Sequence, residues 1–268
     1  MDKIALYLPI ITINTWKCDG DYDQRLVLML NQLKQLNPVI IACQECFKSD
    51  EAGADTLIYL ADELAMNYYF LAGRLKKRLF RGKWIDSLSG LGILSKFPIE
   101  NTASIQLAAV DEDEDRKALQ VVLALPNELT LCLTNCHLTH LEDASDIRKL
   151  QAEQVADFAI SKADCTYNLV CGDFNAELCS EAIAAFIQKA RAIDTYGAGH
   201  GAELKYSLVE PFLNRKNICV DHIFALPNME KKTYPKFVNS AIVLNTADEN
   251  TGVFPSDHFG IYTELIIN

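Results

Sequence analysis

The sequence predicts an α/β protein in which two β-sheets pack together and helices lie outside them. Three observations carry this reading. Runs nearly continuous in Val, Ile and Leu recur along the chain, as in Pro38–Gln44, Leu129–Cys136 and Tyr167–Gly172, and such runs mark strands buried on both faces. Helical periods separate the early strands and again the late ones, while the middle passes directly from strand to strand, which suits two sheets sharing one core. The 268 residues, half of them apolar, suffice to bury that core.

The elements follow in order. Ile4–Asn14 reads as a first strand rather than a signal peptide, because an acid follows Met1, no A-x-A-like site appears and the run is rich in β-branched residues. Residues 24–36 place Leu26, Met29, Leu30, Leu33 and Leu36 on one stripe, and Asn37-Pro38 ends that helix. A second helix covers 54–66. Strands follow at Gly90–Ser95, Ala118–Leu125 and Leu129–Cys136. A third helix starts at Ser145 as N-cap and runs to Lys162, with Ile147, Leu150, Val155 and Phe158 on one face. After the strand Tyr167–Gly172, a fourth helix spans 180–191, and Ile218–Ala225, Ser240–Leu244 and Phe259–Ile267 complete the strands. No repeat, low-complexity tract or linker divides the chain, so residues 1–268 are expected to form one domain.

The formal net charge of −11 argues against a broad basic face tracking a nucleic-acid backbone. No apolar run approaches the ~18 residues of a membrane span. Nine cysteines form no framework, and Cys43, Cys132, Cys171 and Cys219 lie in apolar runs, as buried free thiols do. The odd count predicts a reducing, cytoplasmic location. Cys43-x-x-Cys46 has no second pair, so no zinc site is expected.

Polar clusters end five of the strand-like runs: Asn14, Gln44-Glu45, Asn135-Cys136-His137, Gly172-Asp173-Phe174-Asn175, and Ser256-Asp257-His258 before the last strand. Strand ends at one rim are where α/β proteins gather reactive groups. Glu45, Asp173 and Asp257 are hard oxygen donors suited to Mg2+ or Mn2+. Asn14 and Asn175 add neutral oxygens or amide donors, and His137 and His258 offer proton transfer or positive charge. Together these types fit attack of water on a phosphate ester. Singly, Gly-Asp-Phe-Asn and Ser-Asp-His also read as plain turns, and Gln44-Glu45 as a solvated strand end. It is their ordered combination that carries the reading.

In that order Asn14, Gln44-Glu45, Gly90–Ser95, Cys136-His137-Leu138, Arg148-x-x-Gln151, Gly172–Asn175, Val220–Phe224 and Ser256–His258 the chain resembles the endonuclease/exonuclease/phosphatase superfamily, over residues 10–262. The resemblance implies a four-layer α/β/β/α sandwich and a divalent-metal-dependent phosphoesterase. It places Asn14, Glu45 and Asp257 at the metal, with Glu45 the main ligand. It assigns Asp173 to orienting or deprotonating the attacking water and Asn175 to holding a phosphate oxygen. The resemblance further implies that Asp221 would fix His258, which would contact the scissile phosphate, and that His137 would stabilise the phosphorane or protonate the leaving group. Two departures stand in the penultimate motif: His222 replaces a frequent Tyr, and Cys219-Val220 replaces Arg-Ile before Asp221. His137 stands where abasic-site endonucleases have Tyr, pointing toward the DNase I-like, sphingomyelinase-like and tyrosyl-DNA phosphodiesterase-like branches.

Arg74–Lys83 carries six basic residues in ten within an otherwise acidic chain. It reads as a loop near the rim. Through Arg74, Lys76, Lys77 and Arg78 it would meet a phosphate-rich substrate such as nucleic acid, with Phe80 and Trp84 available for stacking. The competing reading is a solvated loop paired with Asp111–Asp115. Arg215 and Lys216 would add charge at the same rim. A phosphodiester substrate is expected first; a phosphomonoesterase acting on an inositol phosphate or similar metabolite, or a non-catalytic binding module on the same fold, are the alternatives.

Overall fold

The computed structural model describes residues 6–161, 165–200, 206–208, 218–228 and 233–267. Arg215 and Lys216, expected at the rim, lie outside the described residues, as do Ile4 and Lys162 at the expected ends of the first strand and third helix.

Fourteen strands are described: β1 (Leu6–Asn14), β2 (Ile40–Ser49), β3 (Ala54–Asp55), β4 (Asn67–Ala72), β5 (Lys76–Phe80), β6 (Lys83–Ser95), β7 (Ile99–Gln106), β8 (Lys117–Ala124), β9 (Thr130–His137), β10 (Tyr167–Asp173), β11 (Ile193–Asp194), β12 (Asp221–Leu226), β13 (Lys236–Val243) and β14 (Gly260–Ile267). The first sheet runs β13-β14-β1-β2-β6-β4, with β3 added to β2 and β5 to β6; the second runs β11-β12-β10-β9-β8-β7. Among the helices, α1 (Tyr22–Leu36) and α2 (Thr56–Leu64) cover the first sheet, while α3 (Ser145–Ile160) and α4 (Glu181–Ala190) cover the second; α5 (Thr195–His200) packs on β13. The expected α/β/β/α layering is therefore present.

The pleat explains the three apolar layers. Alternate residues of β1 and β2 point to opposite faces, so Leu8, Ile10, Ile40 and Ala42 enter the inter-sheet core with Leu133, Leu169 and Ile223, while Ile11, Ile13, Ile41 and Cys43 meet Met29, Leu33, Leu57 and Leu60 of the helices. Each fully buried Leu or Ile contributes roughly 1.5–3 kcal/mol. Polar caps set the helix starts: Asp21 accepts from Gln24 N, Asp55 from Leu57 N and Ile58 N, and Ser180 from Ile183 N. The third helix differs from expectation. Ser145 is its first residue and Ala144 its uncapped N-cap. Leu150 is exposed, and the buried stripe is Gln151, Ala152, Val155, Ala156 and Ala159. Small side chains let this helix lie close to both the sheet and α4.

Strand direction assembles the site. β1 and β2 are parallel, as are β9 and β10, whereas β14 and β12 run antiparallel to β1 and β10. The C-terminal ends of four strands and the starts of two others thus share one rim. Beneath it, Gln44 donates to Asn135 Oδ1 at 2.7 Å, and Asn135 donates to the carbonyls of Cys43 and Gly92. These two fully buried side chains tie one sheet to the other directly below the polar clusters.

Candidate active site

Asp173, the last residue of β10, is 1% exposed and lies at the centre. Its position depends on Gly172, whose φ is +138°; a Cβ there would stand 2.0 Å from Cys136 O on the parallel neighbour. Only glycine lets the two strands close at this point. Phe174 then turns into the helix-side core against Phe186 and Phe224. Asn175 adopts a left-handed φ of 48°, its N–H donates to Asp173 Oδ1 at 2.9 Å and its side-chain amide to Leu138 O at 3.0 Å. The Asn175 bond to Asp173 Oδ1 is an Asx turn, so the turn expected of this motif is present, and it carries a buried carboxylate.

Three groups meet at the other oxygen, Asp173 Oδ2. Asn14 Nδ2 donates to it at 3.0 Å, His137 Nε2 lies 3.3 Å away and His258 Nε2 3.8 Å away. Register brings His137 and Asp221 directly opposite Asp173 on its two neighbours. Asp221 Oδ2 takes a 2.8 Å hydrogen bond from His258 Nδ1 and a 2.7 Å bond from Ser207 Oγ, which also accepts from the N–H groups of Val220 and Asp221. Ser256 Oγ donates to Asn14 O at 2.6 Å and accepts from His258 N at 3.3 Å, joining the first motif to the last. Ser207 carried no signal in the sequence; only the fold brings it under Asp221.

Burial and charge set the protonation of this cluster. Burial opposes charge on His258, but the Asp221 and Asp173 carboxylates outweigh it and lift the imidazole to about 10. Burial, then the Asp221 charge, pushes the Asp173 carboxyl up. Burial, then Arg116 and His258, holds His137 well below the usual imidazole range. Asp173, Asp221 and His258 bring ligand atoms within 4.8 Å of one another, a grouping that could hold a metal. His258 bridges the two carboxylates, its Nδ1 2.8 Å from Asp221 Oδ2 and its Nε2 3.8 Å from Asp173 Oδ2.

A second group of oxygens lies beside it. The β2 ladder does not end at Gln44-Glu45, as expected, but continues through a bulge between Cys43 and Cys46. Glu45 sits in that bulge with φ 54° and lines the cleft beside the rim. Asn14 is in register with Gln44, and its Oδ1 accepts from Trp16 N at 3.0 Å, leaving a lone pair. Burial pushes the Asp257 carboxyl up, with the Glu45 charge adding to it. Two carboxylates and an amide oxygen are a donor set for a hard divalent cation, and a positive side chain already stands there: Lys17 Nζ is 2.8 Å from Glu45 Oε2.

A cleft of about 110 Å3 opens between this group and the basic segment, lined by Lys17, Glu45, Lys76, Arg78, Arg116 and His137 among others. Six Lys/Arg and three Asp/Glu line it, in a chain of net charge −11. The segment expected to be a loop is a hairpin, β5 and β6, closed by Arg81-Gly82 with both φ values positive. Alternation splits its charges. Lys76 and Arg78 face the cleft, where Arg78 donates to the hydroxyls of Ser87 and Ser89. Lys77 lies on the other face beside Asp86, and Arg74 and Arg81 pair with Glu114 and Asp23. Among the described residues no carboxylate is within ion-pair distance of Lys76. Trp84 is exposed on the outer face, while Phe80 is buried against Tyr22 and Phe47, so it offers no stacking surface. His222 points away from the rim, bonded to Ala176 O at 2.8 Å among Phe174 and Phe224. Arg148 and Gln151 brace the loop after His137 through Thr139 and Leu141.

No helix among the described residues is long and apolar enough to cross a membrane. No curated protein sequence matches the chain. Several solved structures share its fold. An endonuclease/exonuclease/phosphatase family protein from Bacteroides thetaiotaomicron aligns with a TM-score of 0.75 at 18% identity, over 98% of this chain and 96% of that one. The mannosyl-6-phosphatase Bt3783 of the same organism gives 0.74 at 18%, over 97% and 100%. The human Nocturnin catalytic domain with bound sulfate anion gives 0.73 at 17%, over 97% and 94%. The endonuclease/exonuclease/phosphatase family model matches residues 11–258, a span running from β1 to the His258 beside Asp173, and the chain therefore belongs to that family of hydrolases acting on phosphate esters.

Proposed function

We propose that the protein is a divalent-metal-dependent phosphodiesterase in which water attacks the phosphorus directly. The observation carrying this is the convergence of Asn14, His137 and His258 on one buried oxygen of Asp173. Asp173, with its raised pKa, is the group suited to align a water and take its proton. His258, kept charged by Asp221, cannot accept a proton and instead presents Nε2–H to a phosphate oxygen. His137 is neutral and donates one N–H to charge developing on the phosphorane or leaving oxygen. Asn175 offers its amide at the same edge. Glu45, Asn14 and Asp257 would hold Mg2+ or Mn2+, which would supply neutralisation of the phosphate charge.

Lys76 and Arg78 in the cleft favour a substrate with a second anionic group beyond the scissile phosphate, as in a nucleic-acid end or a phosphorylated metabolite. The test is a substrate panel with Mg2+ or Mn2+: bis(p-nitrophenyl) phosphate, short oligonucleotides, sphingomyelin and inositol phosphates. Turnover of a diester that EDTA abolishes and that Asp173→Asn lowers at least ~10²-fold is expected. Turnover of monoesters alone would replace this reading with that of a phosphomonoesterase; turnover indifferent to EDTA would remove the metal.

A further inference from the structure

The side chain of Lys17 is only 29% exposed, and its ammonium lies 2.8 Å from Glu45 Oε2 and 3.7 Å from Asp19. The turn that carries it is built at some cost. Trp16 and Lys17 both have left-handed backbones, φ 55° and 41°, which residues with a Cβ seldom adopt. Arg25, 2% exposed, holds them there. Its guanidinium donates to the carbonyls of Thr15, Trp16, Lys17, Asp19 and Pro255 and stacks 4.7 Å from the Trp16 ring. On β2, Glu45 itself lies in a bulge with positive φ. Two unusual backbone conformations thus meet in one ion pair, and a buried arginine fixes one of them. Solvated surface lysines need no such support.

We propose that Lys17 is a resident counter-cation for Glu45, occupying the metal's place until a divalent ion displaces it. The inference rests on the reading of Glu45 as a metal ligand. A unit positive charge a few ångströms from the site opposes the incoming ion, and the Lys17–Glu45 pair must part before Glu45 can coordinate. Lys17 therefore sets the metal affinity low and lets the metal-free enzyme stay folded without two unopposed carboxylates. Because Lys17 also lines the cleft, its released ammonium remains beside the substrate's anionic oxygens.

The experiment is calorimetric titration of Mn2+ into metal-stripped protein, for wild type, Lys17→Met, Lys17→Gln and Glu45→Gln. Removing the ammonium should tighten Mn2+ binding by at least ~10-fold in both Lys17 variants. Metal-free Lys17→Met should also melt below wild type, with the gap closing once Mn2+ is added. Lys17→Gln keeps the comparison available should Lys17→Met not fold. Equal or weaker binding in the Lys17 variants, with binding still lost in Glu45→Gln, would overturn this proposal and leave the metal reading standing. Absence of Mn2+ binding in every protein, or binding undiminished in Glu45→Gln, would overturn both.

Discussion

Replacing Asp221 by Asn tests the coupling of Asp221 to His258 most directly, because the change keeps shape and removes only charge. His258 Nδ1 lies 2.8 Å from Asp221 Oδ2, and this carboxylate is the leading cause lifting the imidazole from 6.5 to about 10 against burial. At 1.36 kcal/mol per tenfold, that difference is on the order of 5 kcal/mol, near the 3–5 kcal/mol lost when one partner of a buried pair is removed. The sign follows from linkage. A pKa raised by folding contributes stability that is fully present below 6.5 and is lost as the pH climbs through about 10. Wild type should therefore lose stability across that window, whereas Asp221→Asn should start lower at pH 7 and change little. In metal-stripped protein, the His258 imidazole resonances should report protonation to about pH 10 in wild type and a much lower pKa in the variant. Turnover should fall at least ~10²-fold, and adding His258→Ala should cost little more, since groups that act as a unit are non-additive. A His258 pKa unmoved by Asp221→Asn, or losses that simply add, would refute that coupling.

Three further outcomes are expected. Glu45→Gln should keep the fold, weaken Mn2+ binding and lower turnover at least ~10²-fold, as measured by titration and initial rates; full activity in EDTA would contradict it. Lys76→Met should raise KM for a polyanionic substrate about tenfold, or 1.4 kcal/mol, with little effect for a small diester, while Lys77→Met, on the outer face beside Asp86, should leave both unchanged; equal shifts in the two variants would remove the cleft assignment. Gly172→Ala puts a methyl 2.0 Å from Cys136 O and should cost about 3 kcal/mol, a fall in Tm of roughly 6–12 °C at this size; an unchanged Tm would show that the strands can part there.

Much of the rim was legible because local pattern and global position agree. Buried strands read as unbroken Val, Ile and Leu, so a polar cluster at the end of such a run stands out, and Asn14, His137, Asp173 and the Ser256–His258 group lie together at one rim. Glu45 was legible as a residue but not in its setting, since a bulge leaves no compositional trace. The hairpin at 76–87 was hidden for a different reason. Its turn is Arg81-Gly82 instead of Asn-Gly or Asp-Gly, and its charged residues mask an alternation that buries Phe80 and Ile85. Leu150 misled because helix α3 packs through alanines. Ser207, Arg25 and the inward aim of Lys17 depend on contacts between distant segments, for which a single sequence offers no periodicity. Gln44 and Asn135 stand in the polar clusters at strand ends, yet they serve the joint between the sheets.

The placement of β1 has a consequence for biosynthesis. It is an inner strand, paired on one edge with β2 and on the other with β14 from Leu6↔Ile267 to Thr12↔Ile261. A nascent chain can form the first pairing early, but the second edge stays open while roughly 250 further residues are made, about 10–50 s at 5–20 residues per second. That edge is apolar and hydrogen-bond-hungry, the kind that invites a stray strand. Arg25 likewise waits for Pro255, and Asn14 for Ser256. The rim is therefore among the last parts of the fold to close: no chain ending before His258 can carry the assembled centre.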